Sequence, residues 1–150
     1  AAQYAIIISP RKRAMAVKPE NTFISGVHKH LPSIKVLHRE KMNNPYRGGT
    51  ADWWYSGKLN DMWIEYKFLP RMPQRGDITP ERLGLTALQL DWLQGRYAEG
   101  RNVGVIVGCP KGGVIMRDLA WEATWSVEGF SRQVIDRKAL ASWIVQQTTG

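Results

Sequence analysis

The feature that most constrains the fold is the run Met62-Trp63-Ile64-Glu65-Tyr66-Lys67-Phe68-Leu69, rich in strand formers and holding two charges two residues apart. Aromatic and branched residues in such a row predict a β-strand, and side chains along a strand alternate faces. Glu65 and Lys67 therefore point the same way, together with Trp63. Burying a carboxylate and an ammonium in so apolar a strand is costly unless they pair or hold an ion. The run thus predicts a strand that carries a site.

The rest of the chain supplies a frame for that strand. Pro19-Glu20 reads as a helix start, because proline suits a first helical turn. Phe23, Ile24, Val27 and Leu31 follow at helical spacing, and Pro32 should end the helix. Strands are predicted over Ile34 to Leu37, Ala51 to Tyr55 and Met62 to Leu69, with Asn43 to Gly49 as a loop and Ser56 to Asp61 as a hairpin loop. Pro70 to Pro80 lacks an apolar period and reads as a loop beside the site. Thr86 opens a helix running to about Glu99, with Leu88, Trp92 and Leu93 on its apolar face. The strand Val103 to Val107 comes next, then a Gly112-Gly113 turn and a short strand Val114 to Met116. Asp136 caps a last helix carrying Leu140, Trp143 and Ile144 on one stripe. The expected class is α/β, one domain over residues 19–150 with a basic arm or edge strand over 1–18.

Size and charge narrow the function. A chain of 150 residues buries roughly 70% of its unfolded surface and needs no disulfide staples. Cys109 is the single cysteine, so no intrachain disulfide forms, and a reducing cytoplasmic setting is expected. The apolar run Tyr4 to Ile8 is too short for a membrane span, and Arg11-Lys12-Arg13 follow it instead of preceding it as in a signal peptide. A soluble protein without a membrane partner is the expectation. The 21 Lys and Arg against 13 Asp and Glu give a formal charge of +8 and a pI near 9.9, which favours a polyanionic partner. Arg11, Lys12, Arg13 and Lys18 cluster in the arm, and Tyr46, Arg47, Arg71 and Arg75 sit on loops beside the predicted site. Arginine and lysine there would grip phosphates and tyrosine would stack on bases.

Gly49-Thr50-Ala51-Asp52, Ile64-Glu65-Tyr66-Lys67 and Leu85-Thr86-Ala87-Leu88-Gln89 occur in that order on a strand, a strand and a helix start, after a helix that begins with Glu20. This arrangement resembles the core of the PD-(D/E)XK nuclease superfamily, and within it the virus-type replication-repair (VRR-NUC) and Holliday-junction-resolvase-like branch. The resemblance covers about residues 19–108. It implies a restriction-endonuclease-like αβββαβ core with a mixed central sheet flanked by helices. Ala51 stands where the family commonly has proline, and the Lys67 to Thr86 connection is long for it.

The resemblance also implies roles. Asp52 and Glu65 would bind Mg²⁺ or Mn²⁺ with the Tyr66 backbone carbonyl as a third ligand, and Glu20 would join the metal shell. Lys67 would handle the attacking water and Gln89 would complete the catalytic set. These residue types suit the chemistry, because a phosphodiester repels nucleophiles until a hard cation held by oxygen ligands offsets its charge and acidifies a bound water. Plainer roles stand beside two of them. Thr86-Ala87-Leu88-Gln89 is a capping box in which the glutamine reaches back to the Thr86 amide, and Glu20 at a helix N-terminus is favoured by the helix dipole alone. His28, His30 and His38 lack metal-ligand spacing and read as structural or surface groups.

The implied activity is that of a metal-dependent DNA endonuclease selective for branched or junction structure, in recombination, repair or phage replication within a bacterial or phage-infected cell. A non-catalytic nucleic-acid-binding module and a single-strand or RNA nuclease of the same fold are the alternatives. Symmetric cutting of a junction requires two sites and hence a homodimer. Trp121, Trp125, Phe130 and the Leu140, Trp143, Ile144 stripe offer apolar surface for that contact or for the chain's own sheet.

Overall fold

The computed structural model describes residues 18–42 and 48–150. Helix α1 (Pro19–His28) is followed by β1 (His38–Lys41), β2 (Trp53–Ser56) and β3 (Asp61–Phe68). Helices α2 (Pro80–Leu83) and α3 (Ala87–Ala98) cross to β4 (Val103–Cys109), which turns into β5 (Gly112–Met116). A 3₁₀ turn (Ala120–Glu122), α4 (Val127–Arg132) and α5 (Arg137–Thr148) complete the chain. The strands form one sheet in the order β1-β2-β3-β4-β5. Among the described residues only β3 and β4 run parallel; the other neighbours are antiparallel. This is the mixed sheet flanked by helices that the sequence predicts, with the helix, three-strand, helix, strand order intact.

Each face of the sheet has its own core. On one side α1 and α5 lay Phe23, Ile24, Val27, Leu140 and Ile144 over Tyr55, Met62, Ile64, Tyr66 and Ile106. On the other, Leu83, Leu85, Leu93, Trp121 and Phe130 pack with Val103, Val105, Val107, Val114 and Met116. β4 is buried along its whole length, which explains its unbroken apolar sequence, since a strand covered on both faces has no polar side to alternate. Gly108 lets α1 settle close. A Cβ there would lie 2.6 Å from the Phe23 ring, so only glycine allows that aromatic to reach the sheet.

Several expectations change at the edges. Ile34 to Leu37 is not a strand: the Leu37 and Val36 amides donate to the Ser33 carbonyl in a turn. The strand starts at His38, where the polar sequence His-Arg-Glu-Lys hides it from a pattern reading. Charged residues suit an edge strand with little to bury on either face. Leu31 lies beyond α1, which ends at His28 in tightened backbone bonds to Val27 and His28. Leu88 is 60% exposed and so does not share the buried face of α3, which rests on Leu93. Gly112 already belongs to β5, and the turn falls on Pro110-Lys111. Trp121, Phe130, Leu140 and Ile144 are fully buried within their own chain. They cover the sheet of their own chain, and Trp125 and Trp143, half-buried, pack against the same two cores.

Candidate active site

Asp52 and Glu65 come together because of strand register. β2 pairs with β3 through Trp53 opposite Ile64, so one step further Asp52 falls opposite Glu65. Asp52 lies just before β2, not on it; its carbonyl accepts from the Met42 amide at 2.7 Å, and its Oδ2 accepts from the Tyr66 amide at 3.2 Å. The side chain thus replaces a ladder bond and fixes the carboxylate beside Glu65. Trp54 and Trp63, directly opposed across the two strands and half-buried, share this face.

Glu65 is 1% exposed. Its Oε2 lies 3.7 Å from Lys67 Nζ and accepts from Gln89 Nε2 at 3.2 Å. Its Oε1 is buried and accepts no hydrogen bond among the described residues; a bond to the Asp52 carboxylate is open to it only when Glu65 is protonated. Burial first, then the Asp52 charge and carboxyl contact, push the Glu65 carboxyl up to about 9, against the opposing pull of Lys67. An acidic pair with one oxygen unserved needs a proton or a cation.

Gln89 closes the capping box and also reaches Glu65. Its Oε1 accepts from the Thr86 amide at 3.0 Å while the Thr86 hydroxyl accepts from the Gln89 amide at 3.2 Å, closing the capping box. Its Nε2 remains for Glu65. The cap orients the amide so that its nitrogen faces the strand.

Glu20 sits in the first turn of α1. Burial and then Asp52 raise its carboxyl, while Lys67, Lys41 and Lys18 lower it, which sets it within the same electrostatic neighbourhood. Among the described residues, however, no three His, Cys, Asp or Glu side chains stand close enough to enclose a metal. Two carboxylates with one unserved buried oxygen still fit Mg²⁺, which keeps several waters and binds through one or two carboxylates plus substrate phosphate.

Of the predicted nucleic-acid contacts, Lys18, Arg71 and Arg75 are exposed. The loop that carries the two arginines is braced: Arg82 donates to the Arg75 and Asp77 carbonyls, both at 3.1 Å, and Ile78 pairs with Trp125. Arg11, Lys12, Arg13, Tyr46 and Arg47 lie outside the described residues. The cleft lined by Asn60, Asp61, Trp63, Gly100, Arg101 and Asn102 lies at the N-terminal ends of β3 and β4 and includes neither Asp52 nor Glu65. Among the described residues no helix is long and apolar enough to cross a membrane.

Sequence reading missed Tyr55 as a neighbour of this site. Its hydroxyl joins those of Tyr66 and the His28 ring behind the acidic pair. The available signal was strand alternation, which puts Tyr55 and Tyr66 on the face opposite Asp52 and Glu65.

No protein-family model and no curated protein matches the chain. Among solved structures, it is similar to Hjc of Archaeoglobus fulgidus, a Holliday junction resolvase from an archaeal hyperthermophile, at 11% sequence identity and a TM-score of 0.47 over 81% of this chain and 96% of that one.

Proposed function

We propose that the chain is a divalent-metal-dependent endonuclease of the PD-(D/E)XK kind, close to the VRR-NUC and junction-resolvase-like branch, that hydrolyses phosphodiester bonds in branched or junction DNA. The observation that carries this reading is Glu65: buried beside Asp52, with one oxygen held by Lys67 and Gln89 and the other given no donor by the described residues. A pure binding module gains nothing from carboxylates facing phosphate.

Asp52, Glu65 and the Tyr66 carbonyl would hold Mg²⁺ or Mn²⁺, with Glu20 at the margin. When bound, the cation offsets phosphate charge and acidifies water. Lys67 orients the attacking water and takes up developing negative charge on the phosphorane; its pull on Glu65 is outweighed by burial and Asp52, so the carboxylate form awaits the cation. Gln89 holds Glu65 in place from α3. The basic arm with Lys18, and Tyr46, Arg47, Arg71 and Arg75, would grip the nucleic acid, and a symmetric junction cut would bring two copies together on one substrate.

The deciding experiment is cleavage of labelled single strands, duplexes, flaps and four-way junctions with Mg²⁺, Mn²⁺ or excess EDTA. Metal-dependent cleavage of the branched substrates is expected, with Asp52→Ala, Glu65→Ala and Lys67→Ala each reducing turnover by orders of magnitude in folded protein. Undiminished cleavage in EDTA refutes the site. Cleavage confined to RNA or single strands moves the reading to the alternative nuclease, and binding without cleavage moves it to a binding module.

A further inference from the structure

Each element that brings a carboxylate to the candidate site also supplies one member of a hydrogen-bonded chain on the reverse side of the sheet. α1 carries Glu20 and His28, β2 follows Asp52 and carries Tyr55, and β3 carries Glu65 and Tyr66. His28 Nε2 lies 2.8 Å from the Tyr55 hydroxyl, which lies 2.5 Å from the Tyr66 hydroxyl. Both tyrosines are fully buried, and Trp53 packs edge-on to His28 with ring centroids 4.5 Å apart. Tyr66 joins the two faces, because its backbone amide donates to Asp52.

We propose that His28, Tyr55 and Tyr66 form a positioning network that holds α1, β2 and β3 in the mutual register needed for Asp52, Glu65 and the Tyr66 carbonyl to take one divalent cation. This rests on the metal-dependent reading above. Phenylalanine would fill the same volume without a hydroxyl to satisfy, so packing alone does not require tyrosine at either position. The surrounding core of Phe23, Ile64 and Ile106 is apolar, and apolar contact is non-directional and tolerates sliding. A buried hydroxyl does not, since its bond weakens steeply with distance and angle and an unmet partner carries a full desolvation penalty. Ligand geometry must hold to about 0.5 Å for a productive site, and the His28–Tyr55–Tyr66 hydrogen bonds are a directional contact that spans all three elements.

The test uses the full chain and Mn²⁺ alone as probe. Titration calorimetry of Tyr55→Phe and Tyr66→Phe should show Mn²⁺ affinity about 10- to 100-fold weaker, the range usual for groups that orient metal ligands. DNA affinity of Tyr55→Phe without metal should stay unchanged. The double variant should lose little beyond either single one, because the two hydroxyls act through the same bond. His28→Gln keeps a nitrogen able to reach Tyr55 and should retain more Mn²⁺ affinity than His28→Leu. Folded Phe variants with unaltered Mn²⁺ affinity overturn the proposal, even if they melt earlier, because the chain then serves stability alone. Should the Phe variants not fold, equal Mn²⁺ affinities of His28→Gln and His28→Leu overturn it. An unsubstituted protein that binds no Mn²⁺ overturns both this proposal and the metal reading beneath it.

Discussion

Glu65 meets opposite demands at its two oxygens, one held by Lys67 and Gln89 and one buried with no donor among the described residues. With its carboxyl held at about 9, it carries a proton at neutral pH until a cation displaces it. Mn²⁺ affinity should therefore climb with pH from neutrality to about 9, by up to about tenfold per pH unit for one displaced proton. Calorimetry in buffers of different ionisation enthalpy would count that proton; pH-independent affinity would contradict it. The same shift governs the metal-free fold. A carboxyl raised above its unfolded value favours folding while protonated, so stability falls as pH rises from 4.5 towards 9, and Glu65→Gln should flatten that fall in thermal melts. His28 works with the opposite sign. Burial, then Arg39, lower it from 6.5 to about 4, so its contribution is present above 6.5 and is lost as pH falls between those values.

At the scale of elements, the start of α3 joins cap, loop and site. Gln89→Ala removes both bonds of one side chain and should lower stability by about 1 kcal/mol as well as turnover. Gln89→Glu separates these effects, since glutamate serves a capping box equally well but presents Glu65 with a carboxylate instead of a donor. Its melting temperature should stay near that of the unsubstituted protein while cleavage falls. Equal cleavage would show that the amide nitrogen has no part in the site. Gly49 docks the segment leading to Asp52 onto the same turn, with φ +96 and a hypothetical Cβ only 2.4 Å from the Leu88 carbonyl. Gly49→Ala should cost about 1–3 kcal/mol and speed hydrogen exchange at the Tyr66 amide, the donor to Asp52. Retained exchange protection at that amide would mean that the docking does not set the carboxylate.

Across the whole molecule, the sheet separates two cores, and only the one beneath α1 and α5 contains the tyrosine chain. The other is centred on Trp121, fully buried and in edge contact with Tyr97 at 6.0 Å. Trp121→Ala should lower stability by about 3–5 kcal/mol without altering sedimentation, because that ring packs inside its own chain. A change of association state in a folded Trp121 variant would instead place the residue at an interface.

The central strands were legible in the sequence because their signals are local. β3 shows alternation around Glu65 and Lys67, β4 is an unbroken apolar run, and α3 and α5 announce themselves through Thr86 and Asp136 caps. Local too is the order of Glu20, Asp52, Glu65-x-Lys67 and Gln89. What lay beyond reach depends on partners distant in the chain. β1 is a strand because β2 offers it a backbone ladder, a bond pattern that leaves no trace in His-Arg-Glu-Lys. Gln89 caps its helix and contacts Glu65 at once because α3 aims its nitrogen at a strand 24 residues away. His28 and Tyr55 read as ordinary aromatics until helix packing and sheet pleat set them against Tyr66. Periodicity determined which residues share a face. Only the tertiary structure decided which faces meet, because burial and directional hydrogen bonds are set by neighbours that the local pattern does not contain.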